Sequence, residues 1–325
     1  MMEWTQVLDF ERPILELEEE LSRLRMLVES GELSVAGDVE KLERKLDKTR
    51  TEVYKALNAY QRVRLSRHFD RPFTQDYINR FISGFTELHG DRLFGDDPAI
   101  ISGIGKFHGE AVAIVGHQRG RTTQERIHRN FGMPNPEGYR KAQRIFAMAE
   151  RFELPLILFI DTQGAYPGLE GEERGQAEAI ARNLLVLSGL KTPIISVVIG
   201  EGGSGGALAL GICDRLLMLE HSTYSVITPE GCAAILWGKA EAEKAAEYAK
   251  VAAESLQLTA QSLKSFGIAD EIIREPEGGA HRDHTQASEF VEAALARQLS
   301  ALRALSTEEL LRQRYQKFRS IGSLG

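Results

Sequence analysis

The stretch TPIISVVIGEGGSGGALALGICD, residues 192–214, reads as a strand, a glycine turn and a helix in immediate succession. Residues 194–199 are a β-branched apolar run without a charged break, the signature of a strand buried on both faces. Five glycines follow within seven positions: Gly200, Gly202, Gly203, Gly205 and Gly206. They free the backbone to turn and let another group approach its amides. Helix is expected to resume over 207–213. Such a junction gathers unpaired N–H groups and the positive end of a helix dipole at one spot, which favours an anion.

The residues alone leave several anions open. Gly200-x-Gly202-x-x-Gly205 fits a dinucleotide fingerprint with Glu220 as the ribose acid, although the helix that follows is short for a crossover. Gly202-x-Ser204-x-Gly206 fits a nucleophile elbow, with Ser204 as nucleophile and Asp270 followed by His281 or His284 completing a triad. A tight strand-to-helix packing with no ligand also satisfies the pattern.

At 325 residues and 42% apolar content the chain can bury a sizeable core. With 40 basic and 47 acidic residues the net charge is −7, which argues against a general nucleic-acid or membrane-surface binder. Cys213 and Cys232 are too few for a zinc knuckle or a disulfide framework, so no metal site is expected in this chain. The first residues lack a signal-peptide pattern and no apolar run reaches a membrane span, which points to the cytoplasm and to no membrane partner.

Two amphipathic seams open the chain. Ile14, Leu17, Leu21, Leu24 and Val28 step by three and four, as do Val39, Leu42, Leu46, Thr49, Val53, Leu57 and Tyr60 after a break at 29–37. They predict a helical hairpin arm over 1–70, ahead of a main domain over 71–325. Residues 67–76 read as a linker and 77–88 as a helix. Runs at 100–107 and 111–116, separated by His108-Gly109-Glu110, predict a β-hairpin. Within 117–144, Arg119, Arg121, Arg126, Arg129, Arg140, Lys141 and Arg144 face only Glu125 and Glu137, a basic island suited to a polyphosphate or a partner surface. Helices are expected over 136–152 and 172–188, and the tail from 229 onward reads as helical, with segments at 241–253, 259–266, 286–305 and 307–319. His281 and His284 fall in a polar loop and read as surface residues.

Residues 156–160 form a second buried strand that runs into Asp161-Thr-Gln-Gly-Ala-Tyr-Pro-Gly168. The strand, glycine turn and helix grammar therefore occurs twice. Two such turns at the same ends of neighbouring parallel strands face one another across a crevice. Backbone donors around Gly164 and Ala165, and around Gly205 and Gly206, can then converge on one developing oxyanion.

The words GHQRGR, HRNFGMPNPEGYRKA, FIDTQGAYPG, EERGQAEAIARNL, IGEGGSGGALALG, STYSVITPEGCAAILW and EPEGGAHRD occur in that order, between LDFERPI near the start and STEELLRQRYQKF near the end. With these motifs the sequence closely resembles the carboxyltransferase alpha subunits of bacterial-type acetyl-coenzyme A carboxylase. One departure is Gln163, where the family usually has proline, so a fixed φ is lost in that turn.

The resemblance implies an α/β fold of the crotonase type, a β-β-α superhelix with an N-terminal helical hairpin and a helical C-terminal tail. It implies a subunit that moves a carboxyl group from N-carboxybiotin, borne by a separate biotin carboxyl carrier protein, to acetyl-CoA, forming malonyl-CoA for fatty acid synthesis. The expected partners are a zinc-bearing carboxyltransferase beta subunit, the carrier protein and biotin carboxylase, in an α2β2 heterotetramer. Propionyl-CoA is the alternative acceptor, and a serine hydrolase using Ser204 or a non-catalytic scaffold the alternative classes. The expected oxyanion donors are Gly205 and Gly206, supported by Gly164 and Ala165. Gly202 and Gly203 are expected beside the substrate, and Arg119, Arg121, Arg126 and Arg129 at the phosphates of coenzyme A or at a partner.

Overall fold

The computed structural model describes residues 7–30, 35–238 and 242–322. Parts of the expected 29–37 break and of the 241–253 helix lie outside them. The sheet comprises β1 (Ile82–Glu87), β2 (Ile100–Phe107), β3 (Glu110–His117), β4 (Leu156–Thr162), β5 (Ile194–Gly203), β6 (Arg215–Leu219), β7 (Thr223–Ser225) and β8 (Glu271–Ile273). Its order is β1-β2-β3-β4-β5-β6-β8, with β7 paired to the end of β5. The first three strands are antiparallel and β3 to β8 run parallel along that path. His108 and Gly109, at φ 49° and 84°, make the two-residue β2–β3 loop; two positive φ values suit the strands' twist.

Helices α1 (Arg12–Glu29), α2 (Ala36–Lys55) and α3 (Ala59–Ser66) precede the sheet, and α4 (Thr74–Phe81) leads into it. Between β3 and β4 come α5 (Thr123–His128) and α6 (Pro136–Arg151); between β4 and β5, α7 (Leu169–Glu173) and α8 (Gln176–Gly189). The remainder are α9 (Ser204–Leu208), α10 (Pro229–Trp237), α11 (Ala242–Leu256), α12 (Ala260–Ser265), α13 (His284–Arg303) and α14 (Thr307–Ser320).

Period-two alternation divides the strand residues between two cores. Ile157, Phe159, Val197, Ile199 and Leu217 face α4, α13 and α14 through Ile78, Val291, Leu295 and Leu310. Leu156, Leu158, Ile160, Val198 and Met218 face α6, α8 and α12 through Ile145, Phe146, Leu187 and Leu263. With helices over both faces, the parallel strands need no polar side, which is why β4 and β5 are apolar without alternation. The arm has its own apolar seam, in which Ile14, Leu17 and Leu21 meet Leu42, Leu46 and Tyr54. None of the described helices is long and apolar enough to cross a membrane.

Four local expectations are corrected. The helix expected over 77–88 ends at Phe81, and Ile82–Glu87 instead pairs with β2 around a register shift, with Gly84 at φ 58°. The helix expected over 172–188 is divided: α8 starts after Gly175, which takes φ 83°. Residues 271–273, unassigned from sequence, close the parallel end of the sheet. Residues 67–76 are core and not linker: Arg71, Phe73 and Thr74 are buried.

Arg71 explains the last point. Its guanidinium donates to both Glu275 oxygens at 2.9 and 2.8 Å, and to the Ile199 carbonyl at 3.2 and 3.0 Å. Burial alone would raise the Glu275 pKa; the charge of Arg71, with His221 and hydrogen bonds from Arg71 and the Ala280 amide, holds it at about 2. A depressed carboxylate contributes stability that is complete above its unfolded value of 4.5 and is lost as pH falls towards 2. The pair is therefore expected to supply roughly 3 kcal/mol at neutral pH that disappears in that window. Urea midpoints at pH 7 and pH 3 should fall steeply for the native chain and much less for Glu275→Gln.

Candidate active site

β4 and β5 lie side by side and end together, with Thr162 opposite Gly202 at the last register position. The helix expected from Ala207 begins three residues earlier, and β5 continues through Gly203. The entire change of direction therefore falls on Ser204, at φ 54°. A non-glycine residue in that region costs about 1–2 kcal/mol and persists only where its surroundings impose it. They do so by backbone contact. A Cβ on Gly203 would fall 2.0 Å from the Gln163 carbonyl oxygen; one on Gly206 would fall 2.5 Å from Ala165 N and 2.6 Å from the Gly164 carbonyl carbon. Only glycine lets the turn after β5 lie against the turn after β4. Gly205 differs, since a Cβ there would meet nothing closer than Ile180 at 3.4 Å.

Ser204, Gly205 and Gly206 occupy the first turn of α9, where N–H groups have no intrahelical acceptor. The backbone and side-chain hydrogen bonds of the described residues supply none from elsewhere. Across the seam, Ala165 N–H also lacks an acceptor among the described residues, whereas Gly164 N–H is bonded to Thr162 Oγ1 at 3.1 Å. Gly164, at φ 156°, therefore shapes its turn and holds its own amide back. Ser204 is exposed, Gly205 half-buried and Gly206 buried, so the donors line a step from solvent into the protein. With only five residues, α9 has a small dipole; the amides themselves carry the positive potential.

Gly202 and Gly203 lie elsewhere than expected. They are buried in the ladder with β7, opposite Tyr224 and Ser225, and a Cβ on Gly202 would meet the Tyr224 ring at 2.5 Å. Gly200 likewise sits in the strand, where a Cβ would fall 2.4 Å from Asp161 Oδ1. This disposes of the dinucleotide fingerprint, whose glycines must form a loop, and Glu220 is turned to the Glu275 amide.

Ionic side chains fix the strand ends. Arg67 reaches Glu201 at 2.7 Å and Glu230 at 2.9 Å, and Arg119 reaches Glu201 at 3.3 Å and Asp161 at 3.2 Å. Asp161 Oδ1 also accepts from the Glu201 amide at 3.0 Å. Burial pushes the Asp161 pKa up, against the charge of Arg119 and the bond from the Glu201 amide. The cluster thus ties α3, β4, β5 and the start of α10 to one another beside the turns. Arg121 is paired with Asp76 at 2.7 Å and lies over the Phe73 ring. Arg126 donates to the Gly120 carbonyl and Arg129 to the Pro98 carbonyl, neither to a carboxylate. The island counted as uncompensated in sequence is thus largely neutralised by acids from distant segments, including Asp91 at Arg140 and Asp96 at Lys141. Arg119, Arg121, Arg126 and Gln163 still line one open cavity of ≈ 810 Å³.

The triad does not assemble. Asp270 accepts from the Leu216 amide and Lys317, His284 faces the Asp70 carbonyl, and His281 faces Glu11 at 3.2 Å. His281, expected at the surface, is buried. Glu11, His68 and His281 come close enough to suggest a metal site. However, Glu11 Oε1 is already taken up by Tyr54 at 2.7 Å, by His281 and by Arg282 at 3.3 Å. The group fastens the arm to the loop before α13.

The comparisons bear on what such paired turns serve. A family profile described as acetyl co-enzyme A carboxylase carboxyltransferase-like matches residues 7–322. The chain belongs to this family. It is 54% identical over 314 residues to a protein of Geobacter metallireducens named acetyl-coenzyme A carboxylase carboxyl transferase subunit alpha, covering 97% of this chain and 96% of that one. A protein of Halalkalibacterium halodurans with the same name is 53% identical over 315 residues, covering 97% and 95%. Among solved structures, the carboxyltransferase fold of this chain matches a transcarboxylase 12S structure with a TM-score of 0.56 at 20% identity, over 71% of this chain and 42% of that one. It also matches the beta subunit of Pseudomonas aeruginosa geranyl-CoA carboxylase, with a TM-score of 0.53 at 17% identity, over 75% and 46%. The carboxyltransferase thus has the crotonase-type fold, and it spans less than half of each of those two chains. His117, Tyr139 and Arg71, which no sequence pattern singles out as site residues, all border the turns or the strand leading to them.

Proposed function

We propose that this chain is the alpha half of a biotin-dependent carboxyltransferase, moving a carboxyl group from carboxybiotin on a separate carrier protein to acetyl-CoA. Carboxybiotin supplies the carboxyl group and an oxygen on which negative charge develops. The observation that carries the reading is the set of main-chain N–H groups at Gly205, Gly206 and Ala165, without acceptors, at the contact of the two turns. Such donors stabilise a developing oxyanion without any ionisable side chain, and glycine contact holds them in place before the reaction begins. Gly164 and Ser204 shape the two turns, while the Arg67, Glu201, Arg119 and Asp161 cluster keeps the strand ends in register. Arg126 and Arg129, which make no ion pair with a carboxylate among the described residues, are the better candidates for the phosphates of coenzyme A or for a partner; Arg119 and Arg121 order the cavity wall.

The chain would work with a zinc-bearing beta subunit in an α2β2 assembly, in the cytoplasm, with biotin carboxylase and the carrier protein completing the enzyme. Residues 1–70 then serve as an assembly arm. Mixing this chain with a beta subunit, biotin as acceptor and malonyl-CoA should release acetyl-CoA, and neither chain alone should do so. Turnover by this chain alone on ester substrates would favour a hydrolase instead.

Ser204→Ala separates the same two readings at one residue. Carboxyl transfer should stay within about threefold of the native rate, because the hydroxyl is neither donor nor nucleophile in this account. A serine-reactive phosphonate that labelled Ser204 and abolished turnover would contradict it.

A further inference from the structure

Two polar side chains border Gly206 from the protein interior, each with a buried polar atom that has no side-chain or backbone bond of good geometry among the described residues. Tyr139, on α6, is fully buried and its hydroxyl is unpaired. It lies 2.9 Å from where a Gly206 Cβ would stand, at the seam between the two turns. His117, at the end of β3, is also fully buried, and its Nε2 is unpaired. Its ring lies beside the backbone of Phe159 and of Gly206. Nδ1 accepts from the Asp161 amide at 3.4 Å, so the neutral ring carries its proton on Nε2. Asn183 is a third such residue, buried with neither side-chain atom paired, one helical turn beyond Ala179, which packs on Tyr139.

A buried hydroxyl or imidazole N–H without a well-placed partner is costly to keep, so two such groups packed against one peptide mark it as a place where position matters. We infer that Tyr139 and His117 are positioning residues for carboxyl transfer: the Tyr139 hydroxyl at the seam and the His117 ring against the backbone hold the Gly206 peptide from behind, so that the amides of the turn stay aimed at the reacting oxygen. The inference rests on the proposed function and adds to it the source of the turn's rigidity. Neither group is set up to exchange protons. Burial holds the His117 pKa down at about 3 and keeps the Tyr139 hydroxyl protonated well above its ordinary range.

The test uses the complete alpha and beta assembly. Tyr139→Phe removes only the hydroxyl, and His117→Gln keeps a donor where His117→Leu does not. In Tyr139→Phe, kcat should drop roughly tenfold with KM for acetyl-CoA unchanged, and amide exchange at 205–207 should quicken by a similar factor. His117→Leu should lose more than His117→Gln. A Tyr139→Phe enzyme with native kcat and native exchange overturns the inference, as does a loss that only follows the folded fraction. The exchange measurement needs no turnover, so it decides the matter even if the native assembly transfers no carboxyl group, a result that would count against the proposed function instead.

Discussion

Gly206→Ala is expected to lower carboxyl-transfer kcat by roughly 10²–10³-fold, the loss found when one preorganised oxyanion donor is removed. The added methyl has nowhere to go: Ala165 N, the Gly164 carbonyl carbon and the Tyr139 hydroxyl would all lie within 2.9 Å of it. All but one of these are backbone atoms, so relief requires the two turns to separate, which misdirects the Gly206 and Ala165 amides together. Binding of acetyl-CoA should change little. Gly205→Ala is the internal control, because its methyl meets only the flexible end of Ile180 at 3.4 Å and Gly205 does not use positive φ. It should fold normally and retain far more activity. Comparable kcat in the two variants would mean that contact between the turns is not what sets the rate.

Arg71→Met should destabilise the chain by about 3–5 kcal/mol, since it leaves the Glu275 carboxylate buried without its counter-charge. Glu275 would keep the amides of His221 at 2.9 Å and Ala280 at 2.7 Å, which do not replace a bidentate guanidinium. The Ile199 carbonyl, only a few residues ahead of the Ser204 turn, would lose its donor as well. Urea denaturation gives the magnitude, and the Arg71→Met/Glu275→Leu double variant gives the cause. Removing both charges should restore part of what the single change loses. A double variant less stable than the sum of the two single changes would show that the pair matters through packing and not through charge.

What the sequence made legible follows from range. The apolar runs of β4 and β5, the His108-Gly109 loop and the arm's seams depend on neighbours a few residues apart, and each is where the pattern put it. The second glycine turn was likewise found by its local grammar. What escaped was set at a distance. Gly200, Gly202 and Gly203 look like loop because they are glycines, yet they are strand, and their side chains are missing to admit Asp161, Tyr224 and the Gln163 backbone. Arg71 and Glu275 are 204 positions apart, so nothing local marks Arg71 as core. The basic island appeared uncompensated because Glu201, Asp161 and Asp76 reach it from other elements. Tyr139 and His117 stand inside the words HRNFGMPNPEGYRKA and GHQRGR, but nothing local in them marks either residue as a neighbour of Gly206.

The claim on which the account depends is that main-chain amides, and no charged side chain, hold the developing negative oxygen. A crystal structure of the alpha and beta assembly with biotin bound tests it most directly. The account predicts the ureido oxygen within about 3 Å of the Gly205 or Gly206 nitrogen. A ureido oxygen seated instead on an arginine of the cavity wall, with those amides turned to other acceptors, would contradict it.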